Sequence, residues 1–152
     1  MITSDIKDYL NRSVLCWLAT SSSDNVPNVS PKEVFTVYRD ESIIIANIAS
    51  PQTVKNIKAN KQVCLSVLEI FIQKGYQLKG VAEIITADHP EYTAMKAELE
   101  KLTKGEFPFS SITQIVVNKY KPIIAPSYMM YPDTTTESDQ IAAARKAYGV
   151  DS

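Results

Sequence analysis

The alternation of apolar and polar positions divides the chain into short strands with a few helices set between them. Ile2, Ile6, Tyr9 and Leu10 recur at helical spacing behind Thr3 or Ser4, which predicts a short first helix with a hydroxyl cap. Residues 14–20 read as a buried strand, 21–25 as a polar turn, and 26–29 as a segment leading outward again. Residues 34–38 form the next strand, and the polar stretch 39–42 turns it into 43–48 as a hairpin. After a helical stretch, residues 63–68 resume β character. Gly75 opens a strand over 76–85, in which Gly80 marks a bulge or a close backbone approach. Asp88 to Glu91 resembles a capping box, with Tyr92, Met95, Leu99 and Leu102 on one face of the helix that follows. Residues 111–117 and 120–124 supply the last β segment, where Pro122 suggests an edge or a bulge. A final helix, about 137–149, carries Ile141, Ala144, Arg145 and Tyr148 and is stopped by Gly149.

This makes about six strands, mostly joined by short turns, so a mainly antiparallel sheet with inserted helices is expected. A small barrel would remove its exposed edges. The 152 residues show no internal repeat and no composition break, and one domain over 1–152 is expected.

Composition narrows the function classes. Sixteen basic and 17 acidic residues nearly cancel, and only Arg12, Arg39 and Arg145 are arginines, so neither nucleic acid nor an anionic membrane is an expected partner. Cys16 and Cys64 both sit in apolar runs, without metal-ligand spacing, and no metal site is expected. The first ten residues carry Asp5 and Asp8 and do not read as a signal peptide, and no apolar run reaches the roughly 20 residues of a membrane span. A cytoplasmic setting is the expectation. His89 is the sole histidine, which argues against a Ser-His-Asp hydrolase, and four glycines leave no Walker or dinucleotide loop. Side chains this poor in acid–base chemistry point to a binding protein or to a borrowed cofactor.

The sharpest local signal is Ser50-Pro51-Gln52-Thr53, between the 43–48 strand and the helical spacing of Val54, Ile57 and Lys58. Ser50 suits an N-cap and Pro51 the first helical position. A helix mouth with hydroxyls beside it favours a phosphate or another anion, although an ordinary capped helix carries the same local pattern. A second candidate is Asn28 to Glu33, where Pro31 holds Ser30 extended. Lys32 stands there at a strand entrance, either reaching toward a ligand or exposed in a turn.

Taken in order, Trp17-Leu18-Ala19-Thr20, Pro27 to Lys32, Asn47 to Ile57 and Tyr76 to Glu83 resemble the pyridoxamine 5′-phosphate oxidase-like, FMN-binding split-barrel proteins over roughly residues 10–130. The resemblance implies a six-stranded antiparallel split β-barrel of Greek-key type, forming a homodimer with FMN in grooves at the subunit interface. It places Ala46, Asn47, Ser50, Gln52 and Thr53 on the phosphate. Ser30, Pro31, Lys32 and Glu33 fall along the ring and ribityl chain, and Tyr128 is a candidate contact from the partner. The implied activity is an FMN-dependent oxidoreductase with hydride transfer through flavin N5, with Lys32 tuning the flavin; a flavin-binding electron carrier is the alternative. Two departures stand out. Gln52 occupies a position that is often basic in the family, and no histidine follows His89, which argues against pyridoxamine-phosphate oxidase activity itself.

Overall fold

The computed structural model describes residues 2–150. Helix α1 (Ser4–Arg12) is followed by strands β1 (Cys16–Ser21), β2 (Pro27–Lys32), β3 (Phe35–Tyr38) and β4 (Ser42–Ala46), then helix α2 (Pro51–Ala59). Strands β5 (Gln62–Glu69) and β6 (Lys74–Ile85), helix α3 (Tyr92–Thr103) and strand β7 (Ile112–Ile124) complete the sheet. Helices α4 (Pro126–Met130) and α5 (Glu137–Tyr148) close the described chain. The strands form one antiparallel sheet in the order β2-β1-β5-β6-β7-β4-β3.

That order forces the sheet to curl. Laid flat, its two edge strands would lie about 29 Å apart, at the usual spacing between neighbours. Yet β2 runs into β3 through Glu33 and Val34 alone, a link that spans about 11 Å at most. The sheet therefore bends until its edges meet at this link, giving a split barrel. Leu18, Leu65, Leu78, Ala82 and Ile115 fill the inside with Ile6 and Leu10 of α1. On the other face of the β3–β4–β7 end, Ile44, Ile85 and Ile112 pack under Met95 and Leu99 of α3.

There are seven strands, not six. The extra one is β2, which the sequence reduced to a connecting segment because Pro27 and Pro31 are poor strand formers. As an edge strand, β2 has one side free of ladder bonds, and both prolines are tolerated there. Residues 111–117 and 120–124 form a single strand, β7, whose far half pairs with β6 only, so Pro122 lies where one side is open. Gly80 does sit at a register shift, and a Cβ there would lie 2.3 Å from the Val116 carbonyl oxygen.

Local signals hold at several ends. The Thr3 hydroxyl accepts the Ile6 N–H, and Gly149 ends α5 in the left-handed region. The capping box at Asp88 does not form. Asp88 accepts the Thr86 hydroxyl, α3 begins only at Tyr92, and Glu91 is drawn aside by Tyr38 and Arg39. Leu102 is exposed rather than core, because the buried face of α3 runs through Tyr92, Met95, Leu99 and Thr103 and leaves Leu102 to one side. Among the described residues, no helix is long and apolar enough to cross a membrane and no cluster could hold a metal ion.

Candidate functional site

A cleft of about 610 Å³ opens where the barrel is split. Its walls are the end of α1 with Val14, the β2–β3 stretch from Pro31 to Thr36, Ala46, Ile48 and Ser50 before α2, and Leu102 in the last turn of α3 with Phe107 beyond it. A volume of this size is typical of small-molecule sites.

Strand alternation decides which β2 residues turn toward α2. Along β2 the odd positions point out, and Asn28, Ser30 and Lys32 turn inward beneath α2. Lys32 is only 5% exposed. Its ammonium donates to Ser50 Oγ and to Thr53 Oγ1, both at 2.9 Å, and Ser30 Oγ lies 3.3 Å from Thr53 Oγ1. Ser50 Oγ in turn donates to the Ile48 carbonyl, so Ser50 occupies the N-cap position without capping through its side chain. No carboxylate pairs with Lys32 in any ion pair of the described residues. Burial pushes its ammonium below the usual lysine value, against a small opposing effect of Cys16 across the ladder. The same burial pushes the Cys16 thiol up to about 12, so it is an inert neighbour.

The charge balance at this point is unusual. A desolvated cation lies at the first turn of α2, where the helix dipole is already positive. Removing a cation from water without an opposite charge is costly, and here two hydroxyls but no carboxylate among the described residues partner it. The cluster therefore suits an anion, and it offers hydroxyls, free first-turn amides and a positive charge for one.

Of the residues expected at a ligand, the structure brings Ser30, Lys32, Ser50 and Thr53 into one hydrogen-bonded cluster and puts Pro31, Glu33 and Ala46 on the cleft wall. Three others make their hydrogen bonds elsewhere, although Asn47 still borders a depression with Ser50 and Pro51 at the mouth of α2. The Gln52 amide donates to Asn56 Oδ1 within α2, and Asn56 donates to Thr20 Oγ1, fastening the helix to β1. Asn47 is bonded at both ends of its amide to Ser111 and Thr113 of the β7 region. Tyr128 donates its hydroxyl to the Ile72 carbonyl, with the Lys74 ammonium 4.3 Å from its ring centroid, and is thus engaged within its own subunit.

Several lining residues were not legible in the sequence. Val14, Leu102 and Phe107 form an apolar rim that arises only because the ends of α1 and α3 converge on the split. His89 lines a different depression with Lys58, Lys61 and Glu83, and its Nδ1 accepts the Glu91 N–H. No histidine faces the cleft.

Solved structures similar to this one include HupZ of Group A Streptococcus, at 27% identity and TM-score 0.68, with 79% of this chain and 92% of that chain covered. An FMN-binding protein from Syntrophomonas wolfei matches at 19% identity and TM-score 0.67, over 80% and 85%. HutZ, the heme storage protein from Vibrio cholerae, matches at 17% identity and TM-score 0.66, over 80% and 94%. The last two likenesses speak for the fold alone. No curated protein sequence is significantly similar. The family model described as Pyridoxamine 5′-phosphate oxidase matches residues 2–124, which include every strand and the whole Lys32 cluster, and the chain belongs to that family.

Proposed function

We propose that this chain is an FMN-dependent oxidoreductase, acting as a homodimer in the cytoplasm with FMN held where the cleft meets the partner subunit. The observation that carries this reading is the buried Lys32 ammonium, set without a carboxylate at the positive end of α2. Such an arrangement is electrostatically incomplete until a dianion such as a ribityl phosphate arrives.

Ser30, Lys32, Ser50 and Thr53 would hold the phosphate, and Pro31, Glu33, Ala46 and the apolar rim would exclude water from the rest of the cofactor. Lys32 supplies the positive charge that the neutral Gln52 does not, and the Gln52 amide is in any case turned onto Asn56 of its own helix. The chemistry such a cofactor supplies is hydride transfer through flavin N5. Pyridoxamine-phosphate oxidation itself is not the reading, since no histidine follows His89.

A second reading, an electron-carrying flavin module, is favoured by one observation: among the described residues, Lys32 and Glu33 are the only titratable groups on the cleft wall. Rapid reduction of the FMN-loaded protein by NADH or NADPH in stopped flow supports the enzyme, and reduction only by protein donors supports the carrier.

The cofactor class is tested by the absorbance of the purified protein between about 300 and 550 nm and by titration with FMN. A yellow protein, or one that binds added FMN, supports the proposal. A colourless protein that ignores FMN overturns it. Lys32→Ala should weaken FMN binding at least about tenfold. If Lys32 also faces the ring, the flavin reduction potential falls with it; an unchanged potential confines Lys32 to the phosphate.

A further inference from the structure

The connection that delivers Ser50 to the mouth of α2 is held under tension from outside the cleft. Ala49 stands at φ +50°, a left-handed conformation that residues with a Cβ seldom adopt. Nothing in the local sequence favours it, as no glycine or asparagine occupies the position. Two residues earlier, Asn47 makes three bonds to the β7 region. Its backbone N–H donates to the Ser111 carbonyl at 3.1 Å, its Nδ2 donates to Ser111 Oγ at 3.1 Å, and its Oδ1 accepts the Thr113 hydroxyl at 2.7 Å. Thr113 is fully buried and pairs across the sheet with Ile45 of β4, so the anchor belongs to the rigid part of the barrel. Beyond Ala49, the Ser50 hydroxyl closes the turn on the Ile48 carbonyl at 3.0 Å and receives Lys32.

We infer that Asn47, anchored by Ser111 and Thr113, is a positioning residue: it holds the strained Ala46–Ser50 connection in the one shape that sets Ser50 and the α2 amides around an anion, and does not itself touch the ligand. The inference rests on the anion-site reading above and reassigns Asn47, which the family resemblance places on the phosphate. Each end of its amide already holds a bond to the β7 region, which fixes the side chain toward Ser111 and Thr113. Strain persists only where surrounding contacts over-determine it, and these three bonds are what over-determines Ala49. The connection then needs no rearrangement when the phosphate binds, which is the physical meaning of a prepared site.

The test compares FMN with riboflavin, which has the same ring and ribityl chain without the phosphate. Asn47→Ala is expected to lower FMN affinity about tenfold while changing riboflavin affinity less than about twofold. A purely structural role would weaken both ligands alike. Glycine adopts the Ala49 conformation without strain, so in an Ala49→Gly background the Asn47→Ala penalty on FMN should shrink to less than about threefold. Thr113→Val keeps the volume and removes one bond, and serves the same comparison where Asn47→Ala does not fold. Equal losses for FMN and riboflavin, or an undiminished penalty in the Ala49→Gly background, would overturn the inference. If the native protein binds neither ligand, the FMN reading itself fails; if it binds FMN and the variants discriminate as the native protein does, only the role of Asn47 fails.

Discussion

A lysine ammonium taken out of water without a carboxylate raises the free energy of the folded chain until an anion reaches it. For Lys32 this has a pH signature whose sign follows from its position. Burial lowers its pKa in the folded chain below the ordinary 10.5 that the unfolded chain retains. Between those two values the unfolded chain binds more protons, so stability rises with pH through that window and is lost again as pH falls through the folded value. Lys32→Met removes the slope. The variant without ligand is expected to melt about 2–4 °C above the native protein at neutral pH, the shift that ~1 kcal/mol produces in a domain of this size. The difference should narrow as pH approaches 10.5, which calorimetric melts across pH would show. Added phosphate should raise the melting temperature of the native protein and leave that of Lys32→Met unchanged. None of this could be read from residues 28–33 alone. A lysine after a proline fits an exposed turn equally well, and only the inward phase of an edge strand under α2 buries it.

At the scale of elements, the link between β3 and β4 shows a local choice that the fold tolerates rather than favours. Arg39 and Asp40 both have positive φ, 51° and 60°, and the Glu41 N–H donates to the Tyr38 carbonyl, which is the two-residue turn whose twist suits a hairpin. Neither residue prefers that conformation. Asp40→Gly is expected to stabilise the protein by about 0.5–1 kcal/mol in urea unfolding, because the surface ion pair of Asp40 with Lys7 is worth little. The opposite outcome is expected at Gly80, where a methyl group would press on the backbone oxygen of Val116; Gly80→Ala should cost more than about 2 kcal/mol. The bulge at Gly80, the Thr3 cap and the Gly149 stop were all legible in the sequence, because each depends on one residue and its immediate backbone. The capping box at Asp88 was misleading. Tertiary partners, Tyr38 and Arg39 of the hairpin, take the Glu91 carboxylate before it can close a local bond. Proline likewise hid β2, since whether a strand tolerates it depends on its place in the sheet, which no short window records.

For the whole molecule, the remaining question is what covers the apolar surface beside the split. The β1–β2 register puts Trp17, Val29 and Pro31 on one outward face, and Trp17 is 48% exposed. Exposed Val14 and Pro31 belong both to this surface and to the cleft wall, so whatever covers the face also finishes the cleft. A second copy of the chain would do both, and in a two-fold interface each residue counts twice, which makes a single substitution unusually effective. If the proposed dimer forms through this face, Trp17→Glu is expected to convert it to a monomer in sedimentation at micromolar concentration while leaving the far-UV circular dichroism unchanged. FMN affinity should fall with it by at least about tenfold, because the ligand's stabilisation of the folded dimer depends on the shared site. As Trp17 is the only tryptophan, its emission in the native protein should shift to the red on dilution through the dissociation range. A Trp17→Glu protein that stays dimeric and keeps FMN would place the subunit contact on another face of the barrel and leave the cleft complete within one chain.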